Sequence, residues 1–213
     1  MIDLMQTVTS LGDSGLLLPA SLCILAYLLY KGARSVALIW AAVLAVGLGT
    51  TLAAKLGFHA CGVEIGLPDV RSPSGHTAFA AIFFGCASLL AGYGRPKWQR
   101  VALAGAAATL ILLIAVSRVA LHAHTPEEVI GGLAIGGLSV AFFAWAHARA
   151  KPPEIRLRPV VVAFAALAVL LNGHSLNAEP LIRGFAYKLR SHMNVCVPAS
   201  DRAGLDQEAS GSG

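Results

Sequence analysis

Two short stretches of this chain concentrate the side chains that could do chemistry: Arg71-Ser-Pro-Ser-Gly-His76 and Ser117-Arg-Val-Ala-Leu-His-Ala-His-Thr-Pro-Glu-Glu128. Each lies at the end of a long apolar run, and an ionisable group at a bilayer centre costs on the order of 2.5–3.5 kcal/mol, so such clusters need partners or a purpose. Ser74 is a good helix N-cap, and Gly75 would let an incoming group approach the N–H donors of the next helix, an arrangement that binds phosphate. The competing reading is that Ser74 and Gly75 only cap the helix and His76 is an interfacial side chain. Arg118 ends an apolar run, where a guanidinium either takes a bidentate anion or snorkels to the surface. Lys55 carries the same two readings. Thr125, Pro126 and Glu128 have the form of a capping box, with Thr125 at N-cap, Pro126 at N1 and Glu128 at N3. Glu128 is therefore either that cap or the carboxylate that orients His124, as in hydrolytic triads, and one side chain does not easily do both. His122 and His124 would diverge on a helix, which favours one working imidazole over a two-histidine metal site. His59, His147 and His174 are expected to face the interface or loops.

The elements that must position these residues are apolar helices. The chain is 56% hydrophobic and 13% charged, with a mean hydropathy of +0.70, which points to an integral membrane protein rather than a soluble domain. The fold class expected is all-α: a polytopic membrane protein of about six transmembrane helices in a compact bundle. The spans fall near residues 15–30, 35–56, 75–93, 101–121, 126–146 and 159–173, making 1–173 the membrane-embedded domain. Met1 to Ser14 is a short segment ahead of the first span, and no cleavable leader is expected. Residues 174–200 form an external amphipathic tail, and 201–213 a disordered end closing in a Ser-Gly-Ser-Gly cloning remnant.

A net charge of +5 could suggest nucleic acid. The basic residues instead fall in short turns after the first, third and fifth spans, so the positive-inside rule places those turns in the cytoplasm and excludes a nucleic-acid footprint. Lys55, Arg71, His76, Arg118, His124 and Glu128 then gather on the external side. Cys23 and Cys86 read as packing residues. Cys61 and Cys196 would both be external, either bridged or free. No metal-ligand spacing is present, so neither a metal nor another cofactor is expected.

Pro73-Ser-Gly-His76, followed by Ser117-Arg118-x5-His124, resembles the type-2 phosphatidic acid phosphatase superfamily. The resemblance covers about Leu52 to Gly132. Its second motif is matched in full, and its third except at position 128, where glutamate stands for aspartate. The first motif, Lys-x6-Arg-Pro, departs: six residues separate Lys55 from Gly62 and Val63, and Arg71 would have to supply that charge. The resemblance implies a metal-free phosphatase in which His124 attacks phosphorus, Glu128 orients it, and His76 protonates the leaving oxygen and then activates water. Arg118, Lys55, Ser74, Gly75 and Arg71 would cradle the phosphoryl oxygens. The implied substrate is a membrane lipid phosphate or isoprenyl pyrophosphate, such as undecaprenyl pyrophosphate or phosphatidylglycerol phosphate. It would be met among bilayer lipids at the external face, in a bacterium the periplasmic side of the inner membrane. Three other readings stay open: a transporter or lipid-binding protein using the same cluster, an intramembrane serine protease with Ser74 as nucleophile, and a relative that has lost activity.

Overall fold

The computed structural model describes residues 2–61, 72–150 and 157–170, with positions 182, 184–186 and 188. Among them are seven helices: α1 Ile2–Ser10, α2 Ser14–Tyr30, α3 Arg34–Cys61, α4 Gly75–Gly92, α5 Lys97–Ala120, α6 Pro126–His147 and α7 Leu157–Leu170. The protein is an all-α membrane bundle. Among the described residues five stretches are long and apolar enough to cross a bilayer, namely Leu4–Tyr30, Arg34–His59, Gly75–Gly92, Lys97–Ala120 and Pro126–His147. The sixth expected span corresponds to α7, which has 14 residues and is short against the ~20 that a bilayer core requires. The segment expected ahead of a first span at 15–30 is itself helical, as α1, and the apolar stretch begins at Leu4. Asp13 separates it from α2 by capping the latter: its Oδ1 accepts from Gly15 N at 2.7 Å.

The chain divides into two compact units. The first, Met1–Leu52 with Pro73–Leu176, contains most of the bundle. Within it α4 is the central helix, packed by α5, α6 and α2, while α1 lies on α5. Its side chains Phe79, Ile82, Phe83, Cys86 and Leu90 are buried. Trp40 is buried against them, with its ring edge-on to Phe83 and Phe143 at 6.1 Å each and its indole N–H donating to Ser21 O at 3.2 Å. Leu112, Leu113 and Val116 on α5, and Ile130, Leu138 and Phe142 on α6, are exposed, as lipid-facing side chains of an integral membrane protein are. Basic residues and aromatics meet where α6 ends, with the Arg149 guanidinium 4.1 Å from the Trp145 ring centroid, the pairing that anchors helix ends at an interface. His147, expected at the interface, is instead buried, stacked on Phe143 and edge-on to Tyr93.

The second unit comprises Ala53–Ser72 and Asn177–Gly213. Its described part holds the last turns of α3, including a buried Lys55, together with a buried Ala186 beside an exposed Phe185. Arg71, the Cys61 side chain, Cys196 and the expected tail 201–213 lie outside the described residues. The disulfide expectation therefore lies outside them too.

Helix packing without a hydrophobic driving force between lipid-exposed surfaces relies on small residues that let backbones approach. Gly132 and Gly136, one turn apart on α6, supply this against α4. A Cβ at Gly132 would stand 2.6 Å from Ser74 O, and one at Gly136 would overlap Ala81 Cβ. This approach fixes α6 against the first turn of α4. Gly132→Ala is expected to cost about 1–3 kcal/mol through overpacking and to lower activity together with stability, because the contact it forces apart is backbone. Thermal unfolding in detergent beside a turnover assay checks both effects.

Candidate active site

From Ser74 onward, the polar groups of the two motifs are placed by helix termini in the first unit. Ser74 caps α4: its Oγ accepts from Thr77 N at 3.5 Å and from Thr77 Oγ1 at 3.0 Å, and the residue is fully buried. Its own N–H donates to Glu128 O at 2.9 Å. The hydroxyl and amide of Ser74 are thus both engaged in the fold. Gly75 and His76 open α4, where first-turn N–H groups lack intrahelical acceptors and carry the positive end of the helix dipole. A buried, capping Ser74 hydroxyl is a poor nucleophile, which counts against the protease reading. The His76 ring faces the Asp13 carboxylate, with Nε2 to Oδ2 at 3.5 Å and the side chains 29% and 11% exposed.

The spacing Ser-Arg-x5-His has a local explanation. Helix α5 ends at Ala120, and His122 adopts the left-handed conformation at φ 53°. His122 N donates to Val119 O at 2.9 Å, Ala123 N to Arg118 O at 3.0 Å, and His124 N to the same oxygen at 3.3 Å. This is the helix closure in which glycine normally takes the left-handed position. Gly32 does so at the end of α2. At His122 a Cβ-bearing residue does it, at about 1–2 kcal/mol of strain. The turn folds His124 back onto the carbonyl of Arg118. Two residues six apart in sequence become neighbours, and His122 is left exposed and outside the cluster. Ser117, fully buried, donates its hydroxyl to Ile114 O at 2.6 Å.

Glu128 makes both of the interactions between which the sequence could not choose. Its Oε2 is 2.6 Å from His124 Nδ1 and accepts from Thr125 N at 3.3 Å, while Glu128 N donates to Thr125 Oγ1 at 3.4 Å. One carboxylate oxygen serves as capping-box acceptor and as imidazole partner, because it has two lone pairs and His124 immediately precedes the cap. The His124 and Glu128 side chains are 12% and 7% exposed, so the pair is largely withdrawn from water. With Nδ1 on the carboxylate, Nε2 is the ring nitrogen turned away from Glu128.

Two contributors went unsuspected in the sequence. Thr9 Oγ1, on α1, accepts from Arg118 Nη1 at 3.2 Å, and Asp13 faces His76. Hydrogen bonds link Arg118 to His124, His124 to Glu128 and Glu128 to Ser74 at the head of α4, while His76 faces Asp13 and Arg118 also bonds Thr9. Among the described residues no group of three or more His, Cys, Asp or Glu is arranged to hold a metal ion. Lys55 belongs to the second unit.

Comparison with known proteins gives the chain relatives. A family model described as the PAP2 superfamily matches residues 55–152. An uncharacterized 22.5 kDa protein in the cps region of Klebsiella pneumoniae is 30% identical over 177 residues, covering 82% of this chain and 85% of that protein. Mouse glucose-6-phosphatase 3 is 34% identical over 106 residues, 47% of this chain but only 29% of that protein. No solved structure matches.

Proposed function

We propose, because the chain belongs to the PAP2 superfamily, that it is a membrane phosphatase acting on a lipid phosphate or isoprenyl pyrophosphate through a phosphohistidine. The observation that carries this reading is the His124–Glu128 pair, at 2.6 Å, tied through the Glu128 carbonyl to the head of α4. Phosphoryl transfer asks a protein mainly for positioned positive charge, a nucleophile, and an acid on the leaving side. Here His124 Nε2 attacks phosphorus while Glu128 stabilises the charge that develops on the ring. The first-turn N–H groups of Gly75 and His76 and the Arg118 guanidinium receive the phosphoryl oxygens, Arg118 exchanging its Thr9 contact for the substrate. His76 protonates the leaving oxygen and then takes a proton from the attacking water.

Lys55, which matches the lysine of the first motif, and Arg71, which falls outside that motif, remain expectations of the sequence resemblance alone. The basic turns support an external site, at which a lipid would keep its chains in the bilayer while presenting its phosphate. In a bacterium that face is the periplasmic side of the inner membrane.

The test is phosphate release by the purified full chain in detergent with a chelator present, over a panel of phosphatidic acid, phosphatidylglycerol phosphate and undecaprenyl pyrophosphate. Chelator-resistant release from at least one is expected. No release from any would overturn the reading and favour lipid binding or transport.

A further inference from the structure

We infer that Asp13 is the positioning residue of His76, and that this pair fits the site to phosphomonoesters of alcohols rather than to diphosphates. The inference rests on the phosphatase reading above.

The carboxylate is built for a fixed position. Asp13 Oδ1 is held by Gly15 N at 2.7 Å as the cap of α2, which leaves Oδ2 directed at His76 Nε2 at 3.5 Å. The turn that carries it packs closely on α5, since a Cβ at Gly12 would stand 2.9 Å from Ile114 Cγ2, and it lies within ordinary contact, 3.5 Å, of His76 O. Asp13 is itself buried. A capping aspartate ordinarily ends in solvent. This one ends on the ring that the mechanism needs as an acid.

At 3.5 Å the Asp13 carboxylate stands beyond direct hydrogen-bond length from Nε2, but its charge favours a proton on that nitrogen, so Nδ1 is the nitrogen that exchanges a proton with the substrate. The site then contains two histidine–carboxylate pairs of opposite sense. His124 is hydrogen-bonded at Nδ1 and works at Nε2, whereas His76 faces its carboxylate with Nε2 and works at Nδ1. In the first step the His124 Nε2 lone pair forms the N–P bond as the P–O bond to the leaving group breaks. The oxygen takes the Nδ1 proton of His76 and departs as a neutral alcohol. In the second, water loses a proton to His76 Nδ1 as its oxygen bonds phosphorus, the N–P bond breaks, and inorganic phosphate leaves with both rings restored.

The leaving group decides how much this acid matters. An alkoxide is a poor leaving group and needs the proton, whereas the phosphate expelled from a diphosphate departs without one. An expelled phosphate would also bring negative charge toward the Asp13 carboxylate, and like charges at close range oppose binding.

Asp13→Asn separates these effects, because asparagine keeps an N-cap acceptor for Gly15 N while removing the charge. Three substrates serve: phosphatidic acid with an alkoxide leaving group, farnesyl diphosphate with a phosphate, and p-nitrophenyl phosphate with an activated aryl oxide. The full wild-type chain in detergent is expected to turn over phosphatidic acid faster than farnesyl diphosphate. The variant is expected to lose about tenfold or more in kcat on phosphatidic acid, the scale of general-acid catalysis, with KM little changed and less than about threefold loss on p-nitrophenyl phosphate. Equal losses on all three substrates, or no loss on phosphatidic acid, would overturn the positioning role. A wild-type preference for the diphosphate would overturn the substrate assignment. Silence of the wild type on every substrate would instead overturn the phosphatase reading itself. If Asp13→Asn does not fold, Asp13→Ser, which also caps, is read by the same ratios.

Discussion

Replacing His124 with alanine is expected to reduce phosphate release at least about a thousandfold, equivalent to some 4 kcal/mol of lost transition-state stabilisation. The size follows from the route that is removed. On the proposed mechanism, losing the ring leaves no nitrogen to form the phosphoenzyme, and the residual rate is that of water attacking a phosphate bound at Arg118 and the first turn of α4. The fold should tolerate the change, because the backbone N–H of His124 keeps its bond to Arg118 O at 3.3 Å and Glu128 keeps Thr125 N as a partner at 3.3 Å. The measurement is kcat beside thermal unfolding, with a search for a phosphoryl label that is stable to alkali, labile to acid, present on the wild type and absent from the variant. A variant that folds and retains more than about a tenth of wild-type turnover would remove His124 as nucleophile.

What the sequence made legible was local. Ser74, Thr125 and Pro126 announce helix starts by residue type alone, because an N-cap needs only an oxygen and a nearby N–H. The apolar lengths announce helices for the same reason. The parts that escaped depend on contacts between distant residues. Thr9 and Arg118 are separated by 109 positions, and nothing about a threonine on a nine-residue helix indicates which guanidinium it will meet. Asp13 could be read as a cap for α2 but not as a partner of His76, since that depends on how α2 and α4 pack. Gly132 was passed over, although Gly132-x3-Gly136 on a membrane helix is the pattern of close helix approach. What it approaches, the Ser74 carbonyl, only the packing reveals.

The Glu128 question illustrates a different limit. Read from sequence, cap and orienting group compete because a side chain is assigned one partner. The fold removes the competition by placing His124 and Thr125 consecutively around one oxygen. The Thr125 cap turns the chain into α6, and the Schellman-type closure at His122 brings His124 to the same spot. Helix termination on one side and helix initiation on the other therefore assemble the His124–Glu128 pair, and the loop between α5 and α6 needs no further element.

This shared oxygen makes Glu128 the residue at which stability and chemistry can be pulled apart. Glu128→Gln keeps a carbonyl oxygen of the same reach, so Thr125 N retains an acceptor and α6 keeps its start. Its unfolding temperature should move by no more than a few degrees, as expected where only part of a cap worth about 1 kcal/mol is perturbed. The amide carries no charge to stabilise a developing imidazolium and can present its NH2 to Nδ1, which favours the wrong tautomer. A fall in kcat of about a hundred- to ten-thousandfold is expected, the range seen when a carboxylate partner of a catalytic histidine becomes an amide. Glu128→Asp reverses the pattern: the charge survives on a chain one methylene shorter, which can serve His124 or Thr125 N but not both at their present 2.6 and 3.3 Å. It should keep more activity than the glutamine variant while losing more stability, and aspartate is the residue the family motif places there. Parallel losses of kcat and unfolding temperature across Glu128→Gln and Glu128→Asp would show the carboxylate to be a cap alone, with His124 oriented by something else.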